Sequence, residues 1–238
     1  MQNRLAPFGL FREFALFLIA FGLFSATGHA VNLENISVPA SNPASRTGAG
    51  NSAGPIISAN GRFILFSSST PNLLSNQTGV RALNLYLRDR QTASLTLVSA
   101  SDAGAAGDSY SIPGGITPDG RYVVFASPAG NLVANDTNGY SDIFLRDLTA
   151  GTTRLISANV ADTGSGDSAS ADPAITPDGK YVVFQSFALN LINGYTNLEG
   201  DIFLRDVGAG TTEWISVSAV PGARTACSAP VITPDGRY

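Results

Sequence analysis

Residues 117–127 read TPDGRYVVFAS, and residues 176–186 read TPDGKYVVFQS. Pro118 presets φ for the first turn position, Asp119 suits the second, and Gly120 can take φ > 0. The run that follows, Tyr122 to Ser127, is continuously apolar, as expected of a strand covered on both faces of its sheet. A turn signal followed by such a run predicts a hairpin, and its recurrence predicts an array of them. A more worn copy is ANGRFILFSS at 59–68, and a further one starts at Thr233 as TPDGRY. The turn glycines Gly61, Gly120, Gly179 and Gly236 are spaced by 59, 59 and 57 residues.

Two more blocks complete each unit. NLYLRD at 84–89 recurs as DIFLRD at 142–147 and 201–206. TASLTLVS at 92–99 recurs as GTTRLIS at 151–157 and GTTEWIS at 210–216. Each unit thus offers four short strands: a (around Ile116), b (Tyr122 to Ser127), c (Asp142 to Asp147) and d (Thr153 to Ser157). A four-stranded sheet cannot bury both faces alone, so the units stack around an axis. The fold expected is all-β: a β-propeller-like array of four-stranded antiparallel blades forming an incomplete ring, an open arc. A β-solenoid is the alternative, although solenoid coils repeat at about 20–30 residues. Blade 1 is expected at 55–112, blade 2 at 113–172, blade 3 at 173–229, and the start of a truncated blade 4 at 230–238. Asn35-Ile36-Ser37-Val38 resembles the endings of strand d, which makes 31–54 a closing strand and linker.

The succession TPDGRYVVFAS, DIFLRD, Gly-Thr-Thr and a short strand resembles the TolB-type (WD40-like) bacterial propeller repeat. The resemblance covers residues 55–238, with a b–c loop longer than in the usual repeat. It implies a propeller fold. Blades of this type occur in bacterial envelope binding proteins and in the gating domains of some exopeptidases and oligopeptidases.

The first thirty residues differ from the rest. Arg4 and Arg12 give a basic start, and Phe14 to Phe24 (FALFLIAFGLF) is an apolar run short of the ~20 residues needed to span a bilayer. Small residues stand at the −3 and −1 positions of a cut after Ala30, the layout of a signal peptide over 1–30. An uncleaved anchor is the alternative. Cleavage implies an exported chain, periplasmic or extracellular, with no transmembrane segment left. It also removes His29, the only histidine. What remains cannot supply a Ser-His-Asp site or a His-ligated zinc site. Losing Arg4, Arg12 and Glu13 leaves 12 basic against 17 acidic residues, with Lys180 the single lysine. Such a chain lacks the charge to neutralise phosphates and is not expected to bind nucleic acid. With 44% hydrophobic and 13% charged residues it has material for a substantial core. Cys227 is alone, and stands where the preceding unit has Ser170, a position for a small buried residue.

The strongest candidate site is the b–c loop Asn135-Asp136-Thr137-Asn138-Gly139-Tyr140-Ser141-Asp142. Hard cations want several oxygen ligands, so Asp136, Asn138 and Asp142 are candidate ligands for calcium, the one cofactor the sequence suggests. The third unit has Tyr195, Asn197 and Asp201 in the matching places, and the first has Asn84 where Asp142 stands. A polar loop with Asx turns and no metal is the alternative. Arg146-Asp147 and its copies Arg88-Asp89 and Arg205-Asp206 read as structural groups bridging strands or blades. Asp119, Asp178 and Asp235 are accounted for by their turns. The function expected is a binding or interaction module without catalysis, holding a protein or small ligand on a propeller face. The alternatives are a propeller that gates or accompanies a hydrolase domain beyond Tyr238, and a calcium-stabilised surface repeat.

Overall fold

The computed structural model describes residues 35–38, 50–74, 82–218 and 226–237. The expected signal peptide, with His29 and the cut after Ala30, lies outside the described residues, as do most of the expected linker and Tyr238. Residues 1–34 and 35–238 separate into two units, and all described residues belong to the second.

Twelve strands form three separate sheets of four. β1 (Ser52–Ile57), β2 (Phe63–Ser68), β3 (Asn84–Asp89) and β4 (Leu95–Leu97) make the first blade. β5 (Ile112–Ile116), β6 (Tyr122–Ser127), β7 (Asp142–Asp147) and β8 (Thr152–Leu155) make the second. β9 (Ser170–Ile175), β10 (Tyr181–Ser186), β11 (Asp201–Asp206) and β12 (Thr211–Trp214) make the third. Each sheet runs in simple sequence order, antiparallel throughout. Three discrete four-stranded sheets are the open, propeller-like array that the repeat predicts, and they exclude a solenoid, whose coils would share continuous sheets. β1 begins at Ser52. Asn35–Val38 lies in no regular strand, and Ile36 packs against the first blade.

Alternation within the strands explains the stacking. Phe63, Leu65, Leu85 and Leu87 of blade 1 meet Val123, Phe125 and Phe144 of blade 2 in one core. Val124, Ala126, Ile143 and Leu145, on the opposite face of blade 2, meet Val182, Phe184 and Phe203 of blade 3 in another. Period-two alternation therefore feeds two cores from one sheet, so neither face of blade 2 is left polar. The turn residues add a lock at each junction. The Phe63 ring lies over Gly120, Tyr122 over Gly179, and Tyr181 over Gly236, so closely that a methyl on any of these glycines would sit 2.6 Å from the ring. Glycine is thus needed twice, for φ near +71° to +75° and for that approach.

The first strand of every blade is kinked. Register shifts fall between Ala53 and Ile56, between Pro113 and Gly115, and opposite Val183–Gln185 in β9. A proline stands at each kink: Pro55, Pro113 and Pro173. Proline cannot donate to a ladder and belongs at edges and bulges, which matches β1, β5 and β9 as the edge strand of each sheet.

Candidate functional site

The connections b–c and d–a leave the sheets on one face, and the a–b and c–d turns leave on the other. A repeated relay supports the first face. The serine ending strand d (Ser99, Ser157, Ser216) donates its hydroxyl to the first side chain of strand c (Asn84, Asp142, Asp201). The same hydroxyl accepts the next backbone N–H, from Leu85, Ile143 and Ile202, each at 2.9 Å. All three serines of the sequence blocks LVS, LIS and WIS thereby have a structural task.

The structure brings Asp136, Asn138 and Asp142 together. Asn138 Nδ2 donates to Asp142 Oδ2 and to Gly166 O, each at 2.7 Å, while its Oδ1 accepts from the Tyr140 N–H at 2.7 Å. Asp142 is fully buried and Asp136 is 6% exposed. The two carboxyls influence each other's titration. Burial pushes Asp142 up to about 7, and the charge of Asp136 adds to the rise. Burial also raises Asp136, despite hydrogen bonds from Asn138 and Ser165. One of the pair therefore keeps a proton near neutrality, as like charges in one buried site require.

Blade 3 solves the same problem with a different residue. The Tyr195 hydroxyl and Asn197 Nδ2 both donate to Asp201 Oδ2 at 2.7 Å, and Ser216 donates to Oδ1 at 2.6 Å. Burial acts to raise Asp201, but these hydrogen bonds outweigh it and hold the carboxyl below its ordinary range. Tyr195 occupies the repeat position of Asp136. Blade 2 thus has an acid where blade 3 has a hydroxyl donor. That difference was visible in the sequence, but its meaning depends on burial that the sequence does not show. As an oxygen set for a cation, Asp136 and Asp142 fit. Asn138 turns its amide NH2, a donor, toward Asp142 and must rotate to offer an oxygen. Among the described residues no three His, Cys, Asp or Glu side chains cluster as metal ligands.

Apart from Arg88, whose buried Nε and Nη1 have no hydrogen-bond partner, the repeated charges have structural partners. Arg146 Nη1 donates to the carbonyls of Ala100 (3.1 Å) and Ser101 (3.2 Å), crossing from blade 2 to the loop leaving blade 1. Asp147 pairs with Arg121 at 2.8 Å, and Asp89 with Arg62 at 2.7 Å. Asp119 accepts from Thr117 Oγ1 and the Arg121 N–H inside its turn, which lowers its pKa. Asp178 repeats the arrangement with Thr176 and Lys180. Cys227 is half-buried, and its carbonyl accepts from Gln185 Nε2 at 2.7 Å. Trp214 packs edge-on to Tyr195 and fills core, whereas Phe187 is 37% exposed.

Among the described residues, six exposed large apolar side chains, Leu83, Tyr110, Tyr140, Val160, Phe187 and Leu198, stand in the connections between the twelve strands; Ile57 and Ile112 are exposed in first strands, and Ile215, Val217 and Val231 after β12. All six lie in the b–c and d–a connections, on one face. Among the described residues, the a–b and c–d turns of the opposite face expose none, although Ile57, 59% exposed, ends β1 beside one of them. A groove of about 590 Å³ opens on the loop side of blade 2, lined by Asp102, Asn131, Asn135, Arg154 and Asp162 among others.

No protein-family model matches the chain, and no curated protein matches it. Solved structures similar to it include a protein described as TolB from Agrobacterium tumefaciens, at 17% identity and TM-score 0.40 over 69% of this chain and 48% of that one. The β-propeller domain of the Trilobed protease from Pyrococcus furiosus is similar at 12% identity and TM-score 0.42, over 70% of this chain and 42% of that one. Acylaminoacyl peptidase from Pyrococcus horikoshii is similar at 10% identity and TM-score 0.41, over 70% and 25%. The chain spans less than half the length of each. Its blade architecture stands on its own strand order and repeated contacts.

Proposed function

We propose that the chain is an exported propeller-type binding module that holds a protein or small ligand on its loop face and has no catalytic activity of its own. The observation that carries this reading is the one-sided exposure of Leu83, Tyr110, Tyr140, Val160, Phe187 and Leu198. Exposed apolar groups gathered on one face and rimmed by polar loops are the usual mark of an interaction surface. The structural employment of the repeated Arg and Asp residues supports the non-catalytic part. Export rests on the signal layout of residues 1–30, and among the described residues no helix is long and apolar enough to cross a membrane.

The test is site-specific photo-crosslinking in the producing cell. A photoreactive side chain at Tyr140 or Leu198 forms discrete adducts, and one at Thr149, on the opposite turns, forms none. Equal labelling from both faces, or none from the loop face, overturns the reading.

A second reading concerns the loop itself: calcium takes the place of the proton between Asp136 and Asp142. Two carboxyls in contact in a nearly sealed site favour it. Millimolar calcium then raises the melting temperature of the wild type and not of Asp136→Ala. No shift at millimolar calcium rejects it.

A further inference from the structure

The last strands of blades 1 and 2, β4 and β8, carry different residues at one repeat position. Arg154 lies opposite Leu145 in the second sheet, and Thr96 lies opposite Leu87 in the first. Arg154 spans the junction to blade 3. Its Nη1 donates to the Val207 carbonyl, in the turn between β11 and β12, and its Nη2 stands 3.8 Å from Asp162 Oδ2. The guanidinium also covers the glycine of that turn, since a methyl on Gly210 would sit 3.4 Å from Arg154 Nη2. A planar fork of donors suits this place, because it meets a carbonyl and a carboxylate at once.

The junction between blades 1 and 2 has the same frame without the cation. Leu148 opens its turn as Val207 does, each directly after an Ile-Phe-Leu-Arg-Asp block. The Leu148 N–H donates to Arg121 O at 2.8 Å and the Val207 N–H to Lys180 O at 2.9 Å, so the two turns are anchored alike. Thr96 has too short a side chain to reach across. Gly151, the counterpart of Gly210, has nothing within 4 Å of the position a Cβ would take. Beside this turn lies a groove of about 240 Å³, lined by Leu87, Thr96, Asp119, Leu148 and Thr149 among others. Thr96, Asp119 and Thr149 are exposed, so the groove is open to solvent. Both bonds of Asp119 within its turn use Oδ1, which leaves Oδ2 for a ligand. Arg121 also lines the groove, but Asp147 takes up its charge at 2.8 Å and its guanidinium lies over the Tyr122 ring. Asp89, at the far edge, is taken up by Arg62.

We propose that this groove binds the guanidinium of a small arginine-like compound, whose head takes the place that Arg154 fills one junction later. The head donates to the Leu148 carbonyl and pairs with Asp119, and its aliphatic stem lies along Leu87. The volume admits one such head with a short stem, so the occupant is a free compound rather than a protein. A lysine-type ammonium brings the charge without the fork, and an uncharged urea brings part of the fork without the charge. The groove lies on the turn face, opposite the loops that expose Tyr140 and Leu198. It therefore stands apart from the loop-face reading, and a free compound leaves no protein adduct at Thr149.

Amide NMR on the full chain tests this, with N-acetyl-argininamide as the probe. Saturable shifts are expected at Thr96, Leu148 and Thr149, half complete at about 1 mM. The citrulline counterpart, which has the same shape without the charge, gives none at about 10 mM. Thr96→Arg supplies the guanidinium from within the chain, so it weakens binding at least about tenfold and raises the melting temperature. Arg154→Thr empties the second junction, so new shifts appear at Val207 and Gly208 and the probe binds twice per chain. The proposal is overturned by a wild type without saturable shifts at about 10 mM, or by equal shifts from the citrulline compound. Binding that Thr96→Arg leaves unchanged, or a folded Arg154→Thr chain that gains no second site, overturns it as well.

Discussion

At Asp136 one side chain separates two designs of the same loop. In blade 3 the Tyr195 hydroxyl satisfies Asp201 without a second charge, whereas in blade 2 Asp136 and Asp142 must share a proton. Because Asp142 is raised to about 7, its folded form binds a proton that the unfolded form has lost once pH exceeds its ordinary value near 4. Its stabilising effect is full below that value and is lost as pH rises through 7, on the order of a few kcal/mol before relaxation. Asp119, Asp147 and Asp178 act in the opposite direction: they are held below their ordinary range and lose their contribution only as pH falls below about 4. The expected outcome, in chelator, is a higher melting temperature at pH 5 than at pH 7.5. Asp136→Tyr, which copies blade 3, raises the value at pH 7.5 and flattens that slope. A variant with the wild-type slope shows that the pair does not control it.

The same element has different neighbours from blade to blade, and this sets what each substitution costs. The turn glycines share a backbone conformation, but Gly179 lies under the Tyr122 ring and Gly61 under nothing. Gly179→Ala therefore combines left-handed strain with a clash and is expected to cost more than about 2 kcal/mol in chemical denaturation, against about 1 kcal/mol for Gly61→Ala. The strand-c arginines divide in the same manner. Arg146→Met abandons the carbonyls of Ala100 and Ser101 in a buried junction, a loss of roughly 2–3 kcal/mol. Arg88→Met removes two N–H-bearing atoms that already lack partners, so the monomer keeps its stability or gains some. Urea midpoints of the two variants decide this, and an equal loss in both removes the distinction.

For the whole molecule, the two faces of the array are unlike. Short turns carrying Thr-Pro-Asp-Gly close one side, and longer loops with exposed Tyr140, Val160 and Leu198 form the other. A serine insertion in the loop at Leu198 is expected to abolish the loop-face crosslinks and to leave the melting temperature within a few degrees, since surface changes away from the core cost little. The repeat by itself determined the strand count per blade, the antiparallel order and the turn chemistry, because each depends on residues adjacent in the chain: Pro118, Asp119 and Gly120 specify their turn, and Tyr122–Ser127 its strand. It also determined that Asp136, Asn138 and Asp142 share one loop. Only the tertiary structure decided what those residues meet. That Tyr122 caps Gly179, that Arg146 Nη1 reaches carbonyls of the neighbouring blade while Arg88 Nη1 reaches none, and that Asp142 is sealed from water all depend on which blade stacks against which face. Near-identical blocks therefore acquire different energies, because desolvation and pairing belong to the neighbour across the junction, and the repeat describes every blade in the same letters.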